Sequence, residues 1–467
     1  MTLAESRKGI SAGIESHRPL SPGRRPPRAV TPERVLRLTV DRMAFEGRAV
    51  GRTEGKVCFV RGALPGEQVD VTLEREHSRY DEGRVLTLLT SSPHRISAPC
   101  PVFGTCGGCD FLHCAYEEQI RIKTGFIRDA FRQMPDAALR IEDTEPSPEP
   151  FFTRNRAAYS VQDTGSGFQI GFHSRQDPGS IVSAEHCVLQ SEAACDLLRR
   201  IREALDRIPQ KEAGALRRIE IREGKNTGQR MIHFFADHEG IALQTAVEAC
   251  RCACDTAVAS LGVRPGPFAR TTKRKHLFGE GTITETLGDH SFEIGPDAFF
   301  QTHTAIAAAM FGRVHKAMNE AGSKHPLELY AGSGVLATIL AEPGRKLLGF
   351  EADADAVETA RRNFKRNHVE TARILHRRVE DLRTESLLGK IDFLVADPPR
   401  AGLSLIAARI LVQLQVPRMV YISCQPAVMA RDIQTLVQKG GYRVDWIKPF
   451  DMFPQTTHVE TAIGLSR

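Results

Sequence analysis

Cys424 follows the apolar run Met419-Val420-Tyr421-Ile422 and precedes Gln425-Pro426 and a helical stretch. A thiol at the carboxyl end of a strand stands where open α/β sheets bind their ligands, which makes Cys424 a candidate nucleophile rather than an inert core residue. Near the C-terminus, Asp451-Met452-Phe453-Pro454 leads to His458-Val459-Glu460, just before a last strand-like run from Thr461 to Leu465. A carboxylate here can serve as a base, although spacing alone reads it equally well as a surface ion-pair partner.

A second set of residues suits a cofactor. The strand Leu327-Glu328-Leu329-Tyr330 runs into Ala331-Gly332-Ser333-Gly334 and then a helical stretch from Val335, leaving backbone amides free to meet a ligand. Glu351 ends the next apolar strand, where a carboxylate accepts both hydroxyls of a ribose. No lysine follows the glycine loop as a triphosphate-binding loop requires, so S-adenosylmethionine fits better than a nucleoside triphosphate. Asp397-Pro398-Pro399-Arg400 closes the run Phe393-Leu394-Val395-Ala396, and two prolines hold the Asp397 carboxylate at the sheet edge. Methyltransferases acting on exocyclic amino groups usually carry an aromatic residue after such prolines. Arg400 stands there instead, which favours a carbon-directed reaction.

Carbon 5 of a uracil ring is a poor nucleophile. Adding a thiolate to carbon 6 turns it into an enolate carbon that can take a methyl group, after which a base removes the carbon 5 proton and the thiol leaves. One strand-end Cys and one carboxylate are what this chemistry needs. A third set, Cys100, Cys106-Gly107-Gly108-Cys109, places three thiols within a short glycine-containing stretch, as metal and cluster sites do. Cys114 and Cys187 are the candidates for a fourth ligand, and spacing leaves zinc and an iron–sulfur cluster open. Cys250, Cys252 and Cys254 sit on a helical stretch and read as structural.

These residues need scaffolds. Apolar strands LELY, KLLGFE, DFLVA and RMVYIS, separated by helical segments, predict a doubly wound α/β domain over residues 286–467. Short β-rich runs from Val35 to about Thr90, broken by Gly47, Gly51, Gly55 and Pro65-Gly66, predict a small OB-like β-barrel over 31–92. A central α+β segment over 93–285 carries the cysteine stretch. Residues 1–30, rich in Pro, Ser and Arg, read as a disordered basic arm. A chain of 467 residues calls for two or three cores. The net charge is +6, and the basic arm supplies most of it, so local patches must carry any argument for nucleic acid. Arg154, Asn155 and Arg156, after two phenylalanines, form a candidate phosphate-contacting and base-stacking patch. No long apolar run or signal-peptide pattern occurs, so a cytoplasmic, monomeric protein with no membrane partner is expected.

The motifs together resemble the RNA 5-methyluridine methyltransferase family, in particular the 23S rRNA (uracil-5-)-methyltransferase branch with an N-terminal TRAM domain. The matching segments are Gly62-Ala63-Leu64-Pro65-Gly66-Glu67, Cys106-Gly107-Gly108-Cys109, Phe299-Phe300-Gln301, Leu329-Tyr330-Ala331-Gly332, Asp397-Pro398-Pro399-Arg400-Ala401-Gly402, Ser423-Cys424, and Asp451 through Glu460. The resemblance implies a class I, Rossmann-like S-adenosylmethionine methyltransferase domain with Cys424 as nucleophile and Glu460 as base. It implies that Gln301, Tyr330, Glu351 and Asp397 contact S-adenosylmethionine. It also implies a [4Fe-4S] cluster on Cys100, Cys106, Cys109 and Cys187, and RNA as substrate, 23S rRNA with tRNA as the alternative. The sequence departs from the family pattern at Ala331, Gln425, His303 and Val335, which touches substrate positioning more than reaction type.

Overall fold

The computed structural model describes residues 28–29, 34–53, 55–165, 167–208, 215–262 and 273–467. Most of the expected N-terminal arm lies outside them. Strand β1 (Arg28–Ala29) borders a barrel of β2 (Val35–Ala44), β3 (Arg48–Thr53), β4 (Lys56–Arg61), β5 (Gln68–Glu76) and β6 (Tyr80–Thr90). The order β1-β5-β2-β3-β4-β6, with β5 also pairing β6, closes five strands on themselves and removes their edges. Alternation is what fills this barrel: Val69, Val71 and Leu73 of β5 point inward against Leu38, Cys58 and Val60.

Helices α1 (Tyr116–Ala130) and α2 (Pro135–Ala138) lead into a seven-stranded sheet. Its strands are β7 (Arg156–Asp163), β8 (Phe168–His173), β9 (Ile181–Ser183), β10 (Leu216–Glu223), β11 (Arg230–Ala236), β12 (Thr256–Leu261) and β13 (Lys273–Phe278), with α3 (Glu192–Leu205) and α4 (Ile241–Cys250). One face is apolar: Tyr159, Ile219, Ile221, Ile232 and Phe234 pack under Leu197, Leu198 and Ile201 of α3 and Leu243 and Ala246 of α4. The opposite face carries Arg156, Arg218, Glu220, Arg222 and His233. A hairpin of β14 (Ile283–Leu287) and β15 (His290–Ile294) follows.

The last layer is α5 (Thr304–Glu320), β16 (Pro326–Leu329), α6 (Val335–Leu340), β17 (Leu347–Glu351), α7 (Ala354–Arg366), β18 (Ala372–His376), β19 (Phe393–Ala396), α8 (Leu405–Leu414), β20 (Arg418–Ser423), α9 (Pro426–Gly440), β21 (Arg443–Phe450) and β22 (Glu460–Ser466). The sheet order is β18-β17-β16-β19-β20-β22-β21, parallel except where β22 joins β20 and β21. All four residues of β16 and of β19 are buried, as strands covered by helices on both faces must be. The chain moves outward from β16 to β17 and β18, then returns to start the other half at β19. The crevice beyond the carboxyl ends of β16 and β19 is the switch point where doubly wound sheets bind ligands. No helix among the described residues is long and apolar enough to cross a membrane.

Candidate active site

Four chain segments end at this crevice. After β16, Tyr330 takes a left-handed conformation (φ 63°), a cost of about 1 kcal/mol that turns the chain into Ala331-Gly332-Ser333-Gly334. Gly334 (φ 73°) caps α6, and a Cβ there would meet Ala360 Cβ at 2.8 Å and Phe364 Cε1 at 3.2 Å, so only glycine fits. Glu351 braces this loop: its Oε2 accepts the Gly332 N–H at 2.8 Å, and its Oε1 accepts those of Ala352 and Asp353 at 2.7 and 2.8 Å. A carboxylate oxygen keeps a second lone pair, so Glu351 can brace the loop and still receive ribose hydroxyls. The segment before α5 lies against the loop, where Ser333 Oγ donates to the Phe299 carbonyl at 3.4 Å, bringing Gln301 alongside.

Asp397 follows the rung in which Leu329 pairs with Ala396, and its N–H donates to the Leu329 carbonyl at 3.4 Å. Tyr330 and Asp397 therefore leave adjacent strands side by side. One strand further, Ala396 pairs with Tyr421 and Ser423 pairs with Thr461, so Cys424 and Glu460 each stand one residue beyond that last rung, with Glu460 opposite Phe450. The electrostatics agree. Burial raises the Cys424 thiol to about 11, with the Glu460 charge adding to the rise, while a hydrogen bond from Arg400 and its charge oppose it. Burial also drives the Glu460 carboxyl well above its ordinary range, and Asp397 pushes it the same way. Asp397 rises to about 7 by burial. Thiol, two carboxyls and the exposed Arg400 guanidinium thus act on one another at this edge, where burial works against negative charge.

The loop carrying Glu460 is held from the central segment. Lys123 of α1 and Asp451 form an ion pair with both side chains at 0% exposure, and Lys123 Nζ also donates to the Phe453 carbonyl at 2.9 Å. Tyr116 Oη donates to Asp451 Oδ2 at 2.6 Å. Gln119 Nε2 donates to Gln455 Oε1 at 2.9 Å.

The sequence profile of the tRNA (uracil-5-)-methyltransferase family matches residues 115–467, and that of the TRAM domain matches residues 30–86. The chain belongs to the tRNA (uracil-5-)-methyltransferase family. An RNA methyltransferase of Gloeobacter violaceus is 30% identical over 464 residues, 96% of this chain and 99% of the relative. One of Thermotoga maritima is 31% identical over 423 residues, covering 88% and 94%. Among solved structures, the Pyrococcus abyssi tRNA (uracil-54, C5)-methyltransferase in complex with S-adenosyl-L-homocysteine superposes with a TM-score of 0.73 at 26% identity, over 92% of this chain and 99% of that one.

The expected RNA patch is redistributed. Asn155 is buried, its Nδ2 donating to the Gln301 carbonyl at 2.7 Å, so it supports the segment before α5 rather than facing solvent. Arg156 lies on the polar face of the central sheet, 2.7 Å from the buried Glu220.

Among the described residues no group of three or more His, Cys, Asp or Glu side chains is gathered to hold a metal ion, so a formed four-thiol centre is not present. The thiols instead share a looser neighbourhood. The Cys109 thiol is raised to about 12 by burial and by the charges of Cys187, Cys106 and Cys100, and Cys187 to about 11 by burial, with Cys195 and Cys106 adding. Gly108 N–H points to Cys106 Sγ at 3.4 Å. Cys114 is elsewhere: fully buried against the barrel core, it donates to its neighbour's carbonyl.

The structural roles of Glu328, Lys123 and Asp451 escaped the sequence reading. Glu328 is buried in β16 with Oε2 lacking a hydrogen-bond partner, and burial with the charges of Asp397 and Glu351 raises its carboxyl well above the ordinary range. A carboxylate inside the apolar run LELY was the available signal. The Lys123–Asp451 pair gave none, because its members lie far apart in the chain.

Proposed function

We propose that this protein methylates carbon 5 of a uridine in 23S rRNA, using S-adenosylmethionine as methyl-donating substrate. The observation that carries the reading is the placing of Cys424 and Glu460 one residue beyond the Ser423–Thr461 rung, close enough for each to feel Arg400 and Asp397, at the sheet's switch point. The glycine loop with Glu351, Tyr330, Gln301 and Asp397 lines the crevice for the donor, whose sulfonium supplies an electrophilic methyl group.

Cys424 Sγ forms a bond to carbon 6, and the electron pair of the carbon 5–carbon 6 double bond moves into an enolate. Arg400, hydrogen-bonded to the thiol, favours the thiolate that this attack needs. Carbon 5 accepts the methyl group. Glu460 then takes the carbon 5 proton, the freed pair restores the double bond, and the carbon–sulfur pair departs with Sγ as thiolate. Burial and the Asp397 charge raise the Glu460 carboxyl, which makes its carboxylate a stronger proton acceptor.

RNA reaches this crevice past the polar face of the central sheet, where Arg156 and Arg218 are its exposed members. Arg218 stacks 3.8 Å from the Phe235 ring centroid and, with Arg156, flanks the buried Glu220. Arg222 on the same face donates to the Ala298 carbonyl at 2.6 Å, tying the face to the segment that leads to Gln301. Cys100, Cys106, Cys109 and Cys187 would have to draw together from their looser neighbourhood to hold a [4Fe-4S] cluster, whose role would be in folding or docking. Transfer RNA is the second reading, favoured by the likeness to the Pyrococcus abyssi enzyme over nearly the whole chain.

Labelled methyl donor with 23S rRNA and with tRNA, followed by mapping of the modified base, tests the reading. RNA carrying 5-fluorouridine traps the enzyme covalently. Trapping by Cys424→Ala at the wild-type rate would exclude the mechanism.

A further inference from the structure

The loop that ends at Glu460 is gripped by the cysteine stretch itself. The backbone N–H groups of Asp110 and Phe111 donate to the Gln455 carbonyl at 2.8 and 3.1 Å. Gln455 itself is held in a left-handed conformation (φ 66°), which a non-glycine residue keeps only when its surroundings enforce it. The Asp110 carboxylate completes the grip: Oδ2 accepts the Thr457 N–H at 3.2 Å and faces Thr457 Oγ1 at 3.4 Å. Its other oxygen pairs with Arg175 at 2.8 Å, and Arg175 in turn donates to the Cys109 carbonyl at 2.6 Å. The turn between β2 and β3 presses on the same side chain, where a Cβ at Gly47 would lie 3.1 Å from Asp110 Cβ. Barrel, cysteine stretch and base loop therefore meet at one carboxylate.

We propose that Asp110 is a positioning residue for the catalytic base: by fixing Gln455 to Thr457 it sets where the Glu460 carboxylate points, and so governs proton removal from carbon 5. Asp110 touches neither the thiol nor the donor crevice, so the bond from Cys424 to carbon 6 and the methylation of carbon 5 do not depend on it. The proton step does, because Glu460 begins β22 three residues after Thr457, with Phe450 on its other side. A misplacement of about 1 Å at a reacting group costs on the order of 100-fold in rate.

This inference rests on the assignment of Cys424 and Glu460, and two RNA substrates separate the failure of each. With 5-fluorouridine RNA the base has no proton to remove, so trapping reports only thiol attack and methyl transfer. Asp110→Ala is expected to trap 5-fluorouridine RNA at a rate within about 3-fold of wild type. With ordinary uridine RNA it should turn over roughly 10- to 100-fold more slowly and accumulate a denaturant-stable protein–RNA adduct carrying the labelled methyl group. Thr457→Val, which removes only the hydroxyl contact, should show the same adduct to a smaller extent and serves if Asp110→Ala does not fold. Equal loss of trapping and turnover would mean a merely structural role and would overturn the proposal, as would wild-type turnover in both variants. Absence of trapping by the wild-type protein would instead sink the assignment of the chemistry.

Discussion

Cys424 and Glu460 stand one residue beyond the Ser423–Thr461 rung that ends the pairing of β20 with β22, and the Glu460 charge acts on the Cys424 thiol. Strand pairing places opposed residues about 5 Å apart, so two groups just beyond such a rung can act on one small ring system. This makes the two roles separable. Glu460→Gln keeps the shape and removes the base, so thiol attack and methylation should proceed while turnover falls by roughly 100- to 10,000-fold. Gel analysis with ordinary uridine RNA should show a methyl-labelled covalent adduct that wild type does not accumulate. A variant that turned over normally would strip Glu460 of its role.

The Lys123–Asp451 pair is enclosed, so its partners cannot be separated cheaply. Burial pulls the Lys123 ammonium below its ordinary value and the Asp451 charge holds it up. Lys123→Met strands a buried carboxylate and is expected to cost about 3–5 kcal/mol, read from denaturant unfolding. Adding Asp451→Asn to that variant should recover part of the loss, because the uncompensated charge is gone.

Strand-end positions were legible in the sequence because each rests on a local pattern: an apolar run, then a glycine, a proline pair or a thiol. Cys424, Asp397 and the glycine loop follow that rule, and the structure brings their strands to one edge. The five-stranded barrel was legible as alternating runs, but its closure through the parallel β4–β6 pairing was not, since no local signal encodes a long-range ladder. Glu460 was ambiguous for the same reason. Its meaning comes from the register with β20, which spacing along the chain does not reveal. Asn155 shows the reverse error: a polar residue between two arginines read as surface, while burial turned it into a support for Gln301.

Asp397 predicts a pH dependence of stability. Burial raises its carboxyl from 3.8 to about 7, so the folded state holds this proton more tightly than the unfolded chain does. The stabilisation is complete below 3.8 and is lost as pH rises through about 7. Asp397→Asn cannot ionise and should remove that part of the decline. Melting temperatures between about pH 5 and pH 8 should therefore fall less in the variant than in wild type. Methyl transfer should be lost at every pH, since Asp397 sits between donor crevice and thiol. An unchanged pH slope would remove Asp397 as the titrating group.

Cys187 and Cys114 make opposite predictions about iron. Cys187 lies within the field of Cys109 and Cys106, whereas Cys114 packs with Phe111 and Phe126 in the barrel core. If four thiolates take a cluster, Cys187→Ser should lower bound iron and sulfide sharply in protein isolated without oxygen. Cys114→Ser should keep both and lose only packing, about 1–2 kcal/mol by the usual cost of a polar group in an apolar core. Chelation of iron from the wild-type protein should reproduce the Cys187→Ser melting temperature. Equal iron in Cys187→Ser and wild type would reassign the fourth ligand, and loss of iron in Cys114→Ser alone would assign it to the barrel side.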